Sequence, residues 1–193
     1  MLTPQSRSDM LAKFLPQGGV CAEIGVAKGN FSRLILDVNE PARLILVDCW
    51  KSCPMSQPKQ KNKKDMRDGK EQQRRYAHVV RRFIQDKRVY IIRGQSLNVA
   101  NNILDDNTFD WIYLDSNHFY EHVAKELLAY WPKVKPGGWL CGHDFVNNEW
   151  CGVKRAVEEF LKNRGLQLSM LTPLDGLLDE SPSWGIQKPG GPA

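Results

Sequence analysis

The chain has 193 residues, of which 41% are hydrophobic and 25% charged, and it carries a formal net charge of +5. That balance is ordinary for a soluble globular protein of one domain with a substantial core. No apolar run approaches the roughly 20 residues of a membrane span, and the N-terminus shows no signal-peptide core.

In chain order, residues 6–14 read as a polar amphipathic helix, broken by Pro16-Gln17-Gly18-Gly19. A short buried strand beginning at Val20 carries Glu23 near its end, and a glycine turn then opens a helix over residues 30–37. A second apolar run, residues 44–47, ends at Asp48. Residues 49–69 lack apolar periodicity and are rich in Lys, Gln, Ser and Pro; a stretch of that length is a functional lid or a disordered segment. A helix resumes near Lys70 and runs to Ile84, with Tyr76, Val79, Val80 and Phe83 on one face. Strands follow at residues 89–92, 109–114, 139–141, 166–171 and 183–187, and helices at 97–104, 118–130 and 153–163. Lys135-Pro136-Gly137-Gly138 reads as a turn before the fifth strand. Alternating strands and helices predict parallel strands joined by right-handed crossovers. The expectation is a single domain over 1–193 with an N-terminal helical extension (1–19), a basic lid-like insertion (49–75) and a loose tail (188–193).

In an open sheet of this kind, ligands sit at the carboxyl ends of the strands. Glu23, Asp48, Ser96, Asp115, His143 and Asp144 all fall at those ends, so several independent segments converge on one edge. The turn after the first strand selects the ligand. Dinucleotide sites use G-x-G-x-x-G, with a pyrophosphate on exposed N–H groups of a helix N-terminus. Here the pattern is E-x-G-x-x-x-G, from Glu23 through Gly25 to Gly29, and the missing third glycine disfavours NAD-linked chemistry. A carboxylate beside a pyrophosphate repels it, whereas one beside a cationic ligand is favourable. S-adenosylmethionine has a sulfonium, an α-amino group and no phosphate, and Asp48 is placed to accept ribose hydroxyls.

On these residues the chain resembles the class I S-adenosylmethionine-dependent methyltransferases, from about Val20 to Gln187. Within that class it looks most similar to the small-molecule and sugar O-methyltransferase-like group. The carrying segments are Asp115-Ser116-Asn117-His118-Phe119-Tyr120-Glu121, Lys135-Pro136-Gly137-Gly138 and Gly142-His143-Asp144-Phe145. The resemblance implies a Rossmann-like α/β fold: a mostly parallel seven-stranded sheet, its last strand antiparallel, with helices on both faces. It also implies cofactor binding by Glu23, Gly25, Gly29, Asp48, Gln95, Ser96 and Asp115. Relatives commonly have Gly-Asp-Ser where this chain has Gly94-Gln95-Ser96. Some sugar O-methyltransferases hold a divalent metal with three acidic ligands from these strand tips. Here the matching set is Asp115, His143 and Asp144, and the histidine shifts the preference from Mg²⁺ toward Mn²⁺ or a softer ion.

Methyl transfer to a hydroxyl is an in-line displacement that also removes a proton. His118, with Asp115, is the candidate general base, and metal activation through Asp115, His143 and Asp144 is the alternative. His118-Phe119-Tyr120-Glu121-His122 also matches the H-x-x-E-H zinc signature, a weaker reading inside an α/β pattern already explained. Five cysteines (Cys21, Cys49, Cys53, Cys141 and Cys151) read as reduced thiols of a cytoplasmic protein, not as a disulfide framework.

Residues 51–88 hold 13 Lys and Arg against 4 Asp and Glu, so the rest of the chain is net acidic. This segment reads either as a solvated face or as an attractor of an acidic acceptor such as a nucleotide-sugar or phosphorylated glycan. Nucleic acid is the weaker partner, for want of interleaved aromatics, and no membrane is expected. The alternatives to a small-molecule O-methyltransferase are an RNA or protein methyltransferase docking through this segment, and a nucleoside-binding module without catalysis.

Overall fold

The computed structural model describes residues 1–51, 69–149, 151–173 and 181–191. The expected insertion therefore lies largely outside the described residues, together with Cys53 and the lysines of its first part. Seven strands form one sheet: β1 (Val20–Ile24), β2 (Arg43–Asp48), β3 (Val89–Arg93), β4 (Phe109–Leu114), β5 (Val134–Gly142), β6 (Met170–Leu171) and β7 (Trp184–Gln187). Their order is β3-β2-β1-β4-β5-β7-β6; β7 runs antiparallel to both β5 and β6, and the other pairs are parallel. The strand order reverses between β1 and β4, which opens a crevice at their carboxyl ends.

Both faces of the sheet are covered, which is why β2 reads as an unbroken apolar run. On one face Val99 and Ala100 of α4 (Ser96–Asn102), Val123 and Leu127 of α5 (Tyr120–Tyr130) and Val157 and Phe160 of α6 (Val153–Arg164) pack on Ile24, Val47, Ile112 and Leu140. On the other, Met10 and Leu11, Ile35 and Leu36 of α2 (Asn30–Val38) and Val79 and Phe83 of α3 (Gly69–Phe83) cover Cys21, Leu46, Trp111 and Tyr113.

The first helix departs from expectation in kind. Ser6 caps α1 (Arg7–Asp9), accepting the Asp9 N–H at 3.1 Å, and a π-helical turn, Met10–Phe14, completes the segment. Asn39 fixes the wider turn: its Nδ2 donates to the Leu11 and Pro16 carbonyls at 3.0 and 3.1 Å, and its Oδ1 accepts the Trp111 indole N–H at 3.3 Å. Upstream, Leu2 bridges to Met170, so the N-terminal segment is tied to β6 at one end and to α2 at the other.

Three expected boundaries shift. Helix α5 begins at Tyr120, not His118, because the Asn117 side chain accepts the Phe119 N–H at 2.9 Å and holds a turn. The Lys135–Gly138 stretch is an irregular part of β5, with a register shift against β4. Strand β6 is short, Met170–Leu171, where 166–171 was expected.

Candidate active site

The glycine turn is built by close approach. Gly25 has φ +94°, and a Cβ there would stand 2.0 Å from the Asp115 carbonyl oxygen, so the turn after β1 touches the end of β4 directly. Asp48 holds the same turn: its Oδ2 accepts the N–H groups of Val26 and Ala27, each at 2.9 Å, and its Oδ1 accepts that of Trp50 at 2.7 Å. A carboxylate offers about four lone-pair sites, so a ribose hydroxyl would share Asp48 with the backbone it orders. Gly29 caps α2 at φ +73°, and a Cβ there would meet the Phe83 ring at 2.7 Å, so backbone and packing both favour glycine at this position.

Of the five non-glycine residues with positive φ among the described residues, Ala27, Trp50 and Asp144 lie around this crevice, where backbone strain is characteristically stored. The Trp50 indole N–H donates to the Ala27 carbonyl at 3.0 Å, and its ring meets Tyr76 at 5.1 Å between centroids.

Glu23 is 2% exposed and accepts a hydrogen bond from Ser32 of α2. Burial pushes its carboxyl well above the usual carboxylate range; Ser32 opposes this, Asp115 and Asp48 reinforce it, and Arg7 opposes it. Its parallel neighbour across the sheet is Tyr113, whose hydroxyl lies 2.8 Å from Ser183 Oγ.

Gln95 precedes α4 and is exposed, whereas Ser96 is buried, with its Oγ 3.3 Å from His122 Nε2. His122 in turn lies 3.1 Å from Glu126 Oε1, which also accepts a 2.6 Å bond from Ser116. A buried carboxyl thus ties the expected adenine side to the residue after Asp115. The H-x-x-E-H match breaks here, because His122 turns to Ser96 and Glu126 and Glu121 is exposed.

At the ends of β4 and β5, His118 Nε2 lies 3.5 Å from Asp115 Oδ1 and 3.1 Å from Asp144 Oδ2. The hydrogen bond to Asp115 raises the imidazole pKa, burial lowers it, and the charge of Asp144 raises it further, leaving it above its ordinary value. For Asp144, burial is outweighed by the hydrogen bond from His143 and the two nearby histidines, which hold its carboxyl at about 2.

Among the described residues, Asp115, His118 and Asp144 have donor atoms within 4.8 Å of one another, a spacing that fits one ion. Two carboxylate oxygens and one imidazole nitrogen suit Mn²⁺ better than Mg²⁺. The set differs from the expected one in a single member. His118 joins it because α5 starts late, while His143 stands behind, its Nδ1 3.3 Å from Asp144 Oδ2.

Residues 22–145 match the family model described as a methyltransferase domain. The chain belongs to this methyltransferase domain family. It is an S-adenosylmethionine-dependent methyltransferase of class I fold. Among curated proteins nothing matches. The fold is similar to fibrillarin of Aeropyrum pernix with natively bound S-adenosyl-L-methionine, at 16% identity over 89% of this chain and 67% of that one, TM-score 0.61. It is similar to the N-methyltransferase NodS of Bradyrhizobium japonicum, at 14% identity over 95% and 93%, TM-score 0.64. It is also similar to the Burkholderia thailandensis 1,6-didemethyltoxoflavin-N1-methyltransferase, at 13% identity over 94% and 76%, TM-score 0.59. Identities this low speak for the fold alone.

Sequence reasoning missed Trp50, Glu126 and the N-terminal Arg7 in this methyltransferase. The i, i+4 spacing of His122 and Glu126 was a usable signal for the second; nothing local marks the others. No helix among the described residues is long and apolar enough to cross a membrane.

Proposed function

We propose that this methyltransferase O-methylates a hydroxyl of a small molecule or sugar, with Glu23, Gly25, Gly29, Asp48, Gln95, Ser96 and Asp115 on the cofactor side. The observation that carries the reading is the His118 imidazole set between two carboxylates, with the backbone of Asp115 against Gly25. An amine brings a lone pair when neutral, whereas a hydroxyl has to surrender a proton, and a buttressed imidazole answers that need. S-adenosylmethionine, when bound, supplies a methyl carbon already activated by its positive sulfur. The turn at Gly25 and the end of β4 hold donor and acceptor sides in one rigid wall, which supports in-line alignment.

His118 takes the hydroxyl proton at Nδ1, since Nε2 is the nitrogen that faces Asp115 and Asp144, as the oxygen–carbon bond forms and the carbon–sulfur bond breaks, its electron pair remaining on sulfur. Asp115 and Asp144 stabilise the imidazolium that results, and His143 positions Asp144. A divalent ion held by Asp115, His118 and Asp144 would supply Lewis acidity to the hydroxyl; it would occupy the same imidazole and is therefore an alternative to general base catalysis. The charge of residues 51–88 makes nucleotide-sugars and phosphorylated glycans the first acceptors to test. The free cysteines Cys21, Cys141 and Cys151 support a reducing, cytoplasmic setting.

The test is transfer of labelled methyl to an acceptor panel by the wild type and His118→Ala, each with and without chelator. The variant should lose roughly 10²- to 10⁴-fold in kcat while retaining S-adenosylhomocysteine affinity. Undiminished wild-type turnover in excess chelator assigns proton removal to His118 itself; loss restored by Mn²⁺ assigns it to the metal. A methyl group recovered on nitrogen or on RNA, or an unimpaired variant, overturns the reading.

A further inference from the structure

We infer that Glu126 is a positioning residue for the methyl transfer, acting through Ser116 on the turn that carries Asp115 and His118. This rests on the reading of those two residues as the proton-handling pair. Glu126 itself hydrogen-bonds to neither. It is 1% exposed and lies on the face of α5 that otherwise buries Val123, Leu127 and Tyr130. A carboxyl there costs desolvation that an apolar side chain of similar volume avoids. Stability alone therefore does not account for it.

Both of its contacts lead to the site. Glu126 Oε1 accepts the Ser116 hydroxyl at 2.6 Å and lies 3.1 Å from His122 Nε2. His122 Nε2 is 3.3 Å from Ser96 Oγ, and the Tyr130 hydroxyl donates to the Ser96 carbonyl at 2.9 Å. His122, Glu126 and Tyr130 stand at i, i+4 and i+8, so they form one stripe along α5. A single helix face thus grips the start of α4 and the turn after β4.

That turn is pinned at both ends by its backbone. The Asp115 N–H donates to the Ile24 carbonyl at 2.7 Å, and the His118 carbonyl accepts the Gly152 N–H at 2.8 Å. Ser116 is exposed between these pins, and its bond to Glu126 ties the middle of the turn to α5. Asp115, Ser116, Asn117, His118 and Glu126 also share the wall of a cavity of about 10 Å³, room for about one water. The turn packs on the carboxyl with little slack, and the 3.5 Å from His118 Nε2 to Asp115 Oδ1 is set with it. A shift of about 1 Å at reacting groups costs on the order of 10²-fold in rate.

The test compares Ser116→Ala, Ser116→Thr and Glu126→Leu in the full chain. It uses labelled-methyl transfer to whichever acceptor of the panel the wild type methylates, S-adenosylhomocysteine calorimetry and melting curves. Ser116→Ala should lower kcat roughly 10- to 100-fold and leave the acceptor KM and S-adenosylhomocysteine affinity within about twofold. Ser116→Thr restores a hydroxyl and should recover most of that loss. Glu126→Leu should lose kcat to the same extent while its melting temperature holds or rises. A merely structural role predicts the reverse, a lower melting temperature with kcat per folded molecule unchanged. Wild-type kcat in Ser116→Ala or Glu126→Leu, a Ser116→Thr as slow as Ser116→Ala, or equal losses of kcat and affinity overturns the assignment. If Glu126→Leu does not fold, the two exposed-site variants at Ser116 decide. A wild type that binds S-adenosylhomocysteine but methylates no hydroxyl of the panel removes the proton-transfer reading, and this inference with it.

Discussion

Gly25 has no room for a methyl group. Its φ of +94° is disfavoured for any side chain, and the Asp115 carbonyl stands where a Cβ would go. Gly25→Ala should cost about 1–3 kcal/mol from backbone strain alone, more with the displaced carbonyl, and should weaken cofactor binding and slow turnover together. Urea denaturation and calorimetry on the variant check this; a loss of turnover with affinity and stability intact would contradict it. Gly29 reads the same way in sequence and is also left-handed, but there it is the Phe83 ring, not a carbonyl, that occupies the Cβ position. That distinction was invisible in the chain, because a spacing of glycines does not say which neighbour excludes the side chain. Glu23, Asp48, Asp115 and Asp144 were legible as strand-tip acids. His118 was legible as a catalytic candidate but not as the third member of an acid–imidazole cluster, which depends on where α5 starts.

At the scale of elements, periodicity located every strand and α-helix of the described residues, because the sheet is buried on both faces and its helices are amphipathic. What it misjudged were ends governed by single polar contacts. Asn117 delays α5, and Asn39 shapes the Met10–Phe14 turn through partners distant in sequence. Asn39 is fully buried, and its loss would strand two carbonyls and the Trp111 indole N–H. Asn39→Ala should therefore destabilise by about 2–4 kcal/mol, measured by chemical denaturation. A change within surface-mutation scatter, about 0.5 kcal/mol, would show that these groups find other partners.

For the whole molecule, the sheet order was not read from sequence beyond the seven strands and the antiparallel last one, since pairing is set by contacts between segments far apart. Its consequence is a buried acid, Glu23, that costs stability. Glu23 holds its proton more tightly folded than unfolded, so stability falls as pH rises from the unfolded value, about 4.3, through the raised folded one. Glu23→Gln removes that loss. Its melting temperature should exceed the wild type's at pH 8 and converge with it near pH 4, while affinity for S-adenosylhomocysteine drops. Melting curves across that range decide the point, and parallel curves would refute it.

The bridge from Leu2 to Met170 has a practical corollary. It fastens the residues before α1 to the edge strand of the sheet, three strands from β4. Trimming residues 1–3 should therefore leave the Ser169 carbonyl and the Leu171 N–H without those partners and lower the melting temperature.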